Sequence, residues 1–358
     1  MSITNNDNKK IKVSIIGATG YVGAELVRGF VGHPYAELTH LTSRTFKGSK
    51  FSDIYPVFRG VCDIELSDLD PAEVAKDSDV VITALPHGVS SETVPVLLAN
   101  GAKVIDHSGD FRYKNLNTYE TSYKLTHPHP ELLKDAVYGI PEFYRNELRN
   151  ATLVANPGCY PTCSLIALAP FLKAGAIDTD QIIIDAVSGV SGAGRKSDLA
   201  YAFCETDEAF KPYGVVGHRH TSEISEQCSL ISGKDIKVTF TPHLAPFKRG
   251  MLATIYVKPT DDFKTLGNEE LIDIMRKFYE GERFVRVLDS KTLPDVKAVN
   301  GSNYIEITAR KDNDTGIIKL FSAQDNLGKG AALQAIQAFN AMNNLPEEAG
   351  LDTLIRGV

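Results

Sequence analysis

Residues 11–16 (IKVSII) form an apolar run that stops at Gly17 and gives way to a helical pattern from about Gly20 to Phe30. Strand-like runs follow at 36–41, 79–84 and 102–106, with a helical stretch at 90–99 between the last two. Strands alternating with helices predict a parallel, doubly wound sheet. After about residue 155 the pattern changes. Longer strand candidates cluster at 181–188, 236–241, 251–258, 303–310 and 316–323, among helical stretches at 159–173, 221–231 and 268–280. Clustered strands with few crossover helices predict a mixed or antiparallel sheet in an α+β domain. A last helix is expected at roughly 328–342.

Composition narrows the class. The 358 residues are 43 % apolar and 23 % charged, which excludes disordered, collagen-like and disulfide-scaffold chains. At about 150 residues per domain, two domains are expected. A net charge of −7 without a basic block argues against nucleic acid or an anionic membrane as partner. The first ten residues, MSITNNDNKK, are polar and do not read as a signal peptide, and apolar stretches such as 164–172 are too short to span a bilayer. Five scattered cysteines without a CxxC predict reduced thiols in a cytoplasmic protein.

Gly17, Gly20 and Gly23 lie three apart between a strand and a helix. Glycines there permit a tight turn and close backbone approach, and a helix N-terminus favours phosphate. Gly17, Thr19, Gly20, Tyr21 and Val22 are therefore candidate dinucleotide-binding residues. An acidic residue ending the second strand would select NAD. Here the sequence reads Leu41-Thr42-Ser43-Arg44. The hydroxyl of Ser43 and the guanidinium of Arg44 suit a 2′-phosphate, so NADP(H) is the expected cofactor.

The sharpest chemical feature is Asn156-Pro157-Gly158-Cys159-Tyr160-Pro161-Thr162 ahead of an apolar helical run. Cys159 falls in the first turn of a helix that follows a strand at 151–155. Free N–H groups and the helix dipole there lower a thiol's pKa and can hold an oxyanion. A thiolate beside a nicotinamide implies acyl transfer to sulfur coupled to hydride transfer at the same carbon. Cys62, Cys163, Cys204 and Cys228 read instead as inert packing residues. Acid/base candidates come from Gly217-His218-Arg219-His220, where two histidines and an arginine precede a helix start. His-x-His without a companion cluster gives no metal site. His87, His107, His127 and His129 read as loop or packing histidines. Cations for an anionic substrate are offered by Arg112, after the strand at 102–106, and by Arg195, which closes a Gly/Ser turn starting at Ser188.

On these residues the chain resembles the N-acetyl-γ-glutamyl-phosphate reductase family, within the aspartate-semialdehyde dehydrogenase-like superfamily. The matching segments are GATGYVG at 17–23, LPHG at 85–88, DHSGDFR at 106–112, YGIPE at 138–142, NPGCYPT at 156–162, SGVSGAGR at 188–195, GHRH at 217–220, PHLAPFKRG at 242–250 and DNLGKGAA at 325–332. Cys163 departs from the pattern, which usually has Gly or Ala there.

The resemblance implies an NADP-binding Rossmann domain at 1–158 and a catalytic, oligomerising α+β domain at 159–325. A C-terminal helix at 326–358 would return to the first domain, in a homodimer or homotetramer. It implies that Cys159 attacks the γ-acyl phosphate of N-acetylglutamyl phosphate, expels phosphate and forms a thioacyl enzyme that NADPH reduces to the semialdehyde. His220 would be the acid/base and His218 a substrate contact or orienting partner, with those two roles interchangeable. Arg112 would hold the phosphate or a carboxylate, with Arg195 and Ser188 nearby. Pro86 and Asn326 would lie at the cofactor. Two alternatives stay open: a reductase for a related acyl phosphate (aspartyl, or carrier-linked aminoadipyl or glutamyl), and a non-catalytic NADP sensor.

Overall fold

The computed structural model describes residues 9–195 and 197–351. The chain divides into two compact units. Of the described residues, the first comprises 9–111, 128–156 and 335–351, and the second 112–127, 157–195 and 197–334.

The first unit is built on seven strands: β1 (Ile11–Ile16), β2 (Ala36–Thr42), β3 (Leu66–Ser67), β4 (Val80–Thr83), β5 (Lys103–Asp106), β6 (Val137–Tyr138) and β7 (Leu153–Ala155). They pair in the order β3-β2-β1-β4-β5-β7-β6, every pair parallel. β4, with the sequence VVIT, is buried along its whole length, as a central strand covered on both faces must be. Strand order reverses between β1 and β4, and such a switch point opens a ligand crevice at the carboxyl ends of the strands.

The second unit carries β8 (Ile182–Gly189), β9 (Lys211–Pro212), β10 (Val238–Ala245), β11 (Met251–Val257), β12 (Val285–Val287), β13 (Ile305–Lys311) and β14 (Ile318–Gln324). Their order is β12-β13-β14-β11-β8-β10-β9. β8 runs parallel to β10 and β12 to β13, while the remaining pairs are antiparallel, so the sheet is mixed. Burial alternates residue by residue along β8 and β11. One face is therefore packed and the other half-exposed.

The helix Cys159–Lys173 is buried from Tyr160 through Leu172. Its apolar residues surround the whole circumference, the pattern of a core helix. Pro161 sits in the first turn, where no intrahelical N–H is needed. The last helix opens differently from the sequence expectation. Gly328–Ala332 is a π turn, and regular α-helix starts only at Leu333 and runs to Met342.

Candidate active site

In the first unit, the turn after β1 is shaped by two glycines. Gly17 has φ +88, and a Cβ there would stand 2.5 Å from the carbonyl oxygen of Ala84, just beyond β4. A Cβ on Gly23 would meet the carbonyl oxygens of Gly17 and Ala18 at 2.5 and 2.6 Å. Gly20 caps the helix Tyr21–Phe30 without a side-chain hydrogen bond, so the first N–H groups stay open to an anion. Thr19 Oγ1 lies 2.9 Å from Ser43 Oγ, which joins the glycine turn to the end of β2. Ser43 is buried, whereas Tyr21, Arg44 and Pro86 are exposed. A backbone cradle that side chains would fill, an uncapped helix start and an exposed arginine together fit a phosphorylated dinucleotide.

The DHSGDFR segment explains itself locally. Asp106 is fully buried and accepts hydrogen bonds from Thr83 Oγ1 at 2.6 Å and from Ser108. Burial pushes its carboxyl pKa up, against those bonds. Asp110 accepts from the N–H groups of Gly88 and Ser91, tying the LPHG loop and the following helix start together. His87 accepts the Gly109 N–H at 2.8 Å, and Asn156 Nδ2 lies 3.2 Å from His107 Nδ1.

The second unit gathers the nucleophile candidate and its neighbours. Gly158 is the N-cap of the helix Cys159–Lys173, with no side chain capping it. Its N–H donates to Glu223 Oε1 at 2.9 Å. The other oxygen of that carboxylate accepts from Arg112 Nη1 at 3.1 Å. Both side chains of this ion pair are almost fully buried. Arg112 is thereby aimed at the start of the nucleophile helix.

Two observations fix the histidines. A Cβ on Gly158 would stand 2.4 Å from His220 Nε2, so the imidazole lies flat against the residue preceding Cys159. His218 is the N-cap of the helix Arg219–Ser232, and its Nδ1 accepts the His220 N–H at 3.2 Å. The His218 ring packs against Tyr160, Tyr213 and Phe240. Burial, aided by the Arg219 charge, pushes its pKa down to about 4, so it is neutral at pH 7. Tyr213 OH donates to Tyr160 OH, which donates to the carbonyl of His243.

Burial pushes the Cys159 thiol up to about 11, and Glu223 adds to this. The Tyr160 N–H, Arg112 and its own N–H pull it down. A thiol in that range is protonated at neutral pH and needs a base to become a nucleophile. Cys163, one turn on, is fully buried with Sγ 3.4 Å from Ser322 Oγ, and burial holds its pKa near 12. It is a packing thiol.

Ser188 is buried at the end of β8, its hydroxyl on the carbonyl of Gly189. Asn326 is buried as well: Oδ1 accepts the Gly250 N–H at 2.7 Å and Nδ2 donates to Ser191 Oγ at 3.0 Å. The amide thus ties the Gly/Ser turn to the loop before β11. Arg195 is exposed at the end of that turn. Cys159, His220, His218 and Arg112 are held in one cluster by these bonds and contacts. Among the described residues, no group of three or more His, Cys, Asp and Glu could hold a metal ion.

Glu223 and Gln324 of the cluster, and the ion pair of Asp325 with Arg249, escaped sequence reasoning. Glu223 lies one turn after His220, a spacing that puts both on one helix face. Asp325 takes Arg249 in a two-point ion pair, Nη2–Oδ2 2.8 Å and Nε–Oδ1 3.2 Å. Arg249 lies in the quoted PHLAPFKRG segment, which carried no assigned role. Gln324 donates to the Cys159 carbonyl at 2.7 Å.

Residues 12–151 match the semialdehyde dehydrogenase NAD binding domain and 159–326 the semialdehyde dehydrogenase dimerisation domain. The N-acetyl-γ-glutamyl-phosphate reductase of Acetivibrio thermocellus is 52 % identical over 95 % of this chain and 97 % of its own. The chain belongs to the N-acetyl-γ-glutamyl-phosphate reductase family. The reductase of that name from Caldicellulosiruptor saccharolyticus is 48 % identical over 95 % of this chain and 98 % of its own. Among solved structures, Vibrio cholerae aspartate semialdehyde dehydrogenase II complexed with ASA has a TM-score of 0.70 at 19 % identity, covering 94 % of this chain and 99 % of that one. Candida albicans aspartate semialdehyde dehydrogenase with NADP gives 0.70 at 15 % identity, over 96 % and 99 %. At that identity the likeness speaks for the fold: the reductase family shares the two-domain architecture of the semialdehyde dehydrogenases. No helix among the described residues is long and apolar enough to cross a membrane.

Proposed function

We propose that this protein catalyses the NADPH-dependent reductive dephosphorylation of N-acetyl-L-glutamyl 5-phosphate to N-acetyl-L-glutamate 5-semialdehyde, a step of arginine biosynthesis. The observation that carries the reading is Cys159 at an uncapped helix N-terminus with the His220 ring against Gly158. His220 takes the thiol proton. The Cys159 sulfur then adds to the acyl carbon, and the carbon–oxygen bond to phosphate breaks, leaving a thioacyl enzyme and inorganic phosphate. When bound, the cofactor supplies hydride to the acyl carbon. The Cys159 and Tyr160 N–H groups, which bear on the sulfur in the free enzyme, turn to the oxyanion once the sulfur is acylated, and the sulfur leaves as the aldehyde forms.

His218 supports this division of labour. Its Nδ1 already accepts the His220 N–H and its pKa is far below neutrality. It therefore orients His220 rather than carrying the proton. Arg112, held by Glu223, binds the phosphate or a substrate carboxylate, with Ser188 lining the site and Arg195 reaching it from the turn. Gly17, Thr19, Gly20, Tyr21 and Val22 hold the pyrophosphate region, Ser43 and Arg44 the 2′-phosphate, and Pro86 the nicotinamide end. Replacing Arg44 by alanine should raise the KM for NADPH by tenfold or more and leave that for NADH unchanged.

The protein works as a homo-oligomer in the cytoplasm, where its five unpaired cysteines stay reduced. The half-exposed face of the second sheet supports assembly. Ile183, Val187, Leu252, Tyr256 and Phe321 lie on it in adjacent strands, with Asp185, Thr254 and Lys319 between them. A sheet face with this much apolar side chain is normally covered. Light scattering of the purified protein distinguishes dimer from tetramer.

The activity is tested in reverse. The protein is incubated with N-acetylglutamate semialdehyde, NADP and inorganic phosphate, and NADPH is followed by absorbance. Turnover that requires phosphate and the acetylated substrate supports the reading. Turnover with aspartate semialdehyde instead would move the substrate to aspartyl phosphate. Silence with both would remove the reading.

A further inference from the structure

Gln324 ends β14, with Met251 of β11 and Ile305 of β13 as register partners. Its side chain is fully buried. Nε2 donates to the carbonyl oxygen of Cys159 at 2.7 Å. Oε1 has no hydrogen-bond partner among the described residues. A buried amide oxygen left unpaired costs roughly 1–3 kcal/mol. A methionine would fill the same space without that cost, so packing does not account for an amide here. Its bond to the nucleophile residue does.

The accepting carbonyl belongs to the Cys159–Tyr160 peptide. The N–H of that same peptide, on Tyr160, pulls the Cys159 thiol's pKa down. A hydrogen bond accepted at a carbonyl draws electron density toward oxygen and strengthens the N–H of its peptide as a donor. Gly330 lets the two groups approach: a Cβ there would stand 3.0 Å from both Cys159 Cβ and Gln324 Nε2.

We propose that Gln324 is a positioning residue for the nucleophile, its Nε2–H fixing and polarising the Cys159–Tyr160 peptide so that the Tyr160 N–H stabilises charge on the sulfur. This rests on Cys159 being the nucleophile. Arg112 and Glu223 bear on the sulfur with full charges, Tyr160, Tyr213 and Cys163 are its titratable neighbours, and His220 packs on Gly158. Gln324 is neutral, so its replacement leaves all of these in place.

The test is the pH profile of Cys159 alkylation by iodoacetamide, in the full chain carrying Cys204→Ser to remove the exposed thiol. Gln324→Met keeps the volume and removes the donor; Gln324→Asn keeps the amide but withdraws it from the carbonyl. The midpoint should move upward by about half to one pH unit in both, slowing alkylation at pH 8 by about three- to tenfold with the high-pH plateau unchanged. An unmoved midpoint overturns the proposal, and so does a lowered plateau at the original midpoint, which reports access alone. If Gln324→Met does not fold, Gln324→Asn decides by itself. Cys159→Ala in the reverse assay separates the two ideas, because retained turnover there sinks the nucleophile assignment and not merely the role of Gln324.

Discussion

One methyl group at Gly158 tests the geometry of the proposed acid/base. Gly158 has φ −69 and ψ 154, a conformation alanine adopts without strain. The new Cβ would nevertheless stand 2.4 Å from His220 Nε2, 2.8 Å from Cδ2 and 2.9 Å from Cε1. Ordinary contact needs about 3.5 Å, so the ring must retreat by about 1 Å. A displacement of about 1 Å costs roughly 10²-fold in rate, or about 2.7 kcal/mol of barrier. Stability should fall by no more than that. Restricting the unfolded chain contributes about 0.4–1 kcal/mol in favour of Gly158→Ala, and moving a partly packed ring costs about 1–3 kcal/mol. Expected, then, is a folded protein melting within a few degrees of the parent, with kcat in the reverse assay down about a hundredfold. A folded Gly158→Ala protein with kcat within threefold of the parent would refute His220 as the acid/base at this position.

Other perturbations follow from the same contacts. Glu223→Ala leaves the buried Arg112 charge without its carboxylate and should cost about 3–5 kcal/mol in urea unfolding. Glu223→Gln keeps an acceptor for the Gly158 N–H and should cost clearly less; equal losses would show that the charge is irrelevant. His218, held near pKa 4 against 6.5 when unfolded, binds fewer protons in the folded state between those values. Its contribution is therefore full above about pH 6.5 and lost as pH falls toward 4, on the order of 3 kcal/mol in all. His218→Asn, which keeps a capping acceptor, should flatten the fall of melting temperature from pH 7.5 to 4.5; parallel curves would exclude this. Gly23→Ala drives a Cβ into backbone at 2.5–2.7 Å and should cost several degrees of melting temperature and the thermal shift given by NADP. Gly20→Ala meets only one atom, at 3.7 Å, and should melt like the parent.

Much of the fold was legible because it is local. The expected helices at 90–99 and 159–173 are Ser90–Ala99 and Cys159–Lys173, and the long strands lie within about four residues of their expected ends. Period and apolar run length carry that information. β3, β6, β9 and β12, two or three residues each, were illegible, since pairing partners create them and no period fits in so short a segment. The π turn at Gly328–Ala332 was hidden in the same way, because its glycines and alanines also read as helix.

The chemistry divides along the same line. Residue types in NPGCYPT and GHRH name a thiol, two imidazoles and a guanidinium, and the glycines after β1 name a backbone cradle. Which of these meet, and what holds them, depends on bonds across long stretches of chain. Glu223 reaches Gly158 over 65 residues and Arg112 over 111, and Gln324 reaches Cys159 over 165. The raised Cys159 thiol and the lowered His218 imidazole come from burial, which no window of sequence contains. A sequence states which groups are present and their short-range order. Only the packed chain decides which polar groups lose water and therefore which partners they must find.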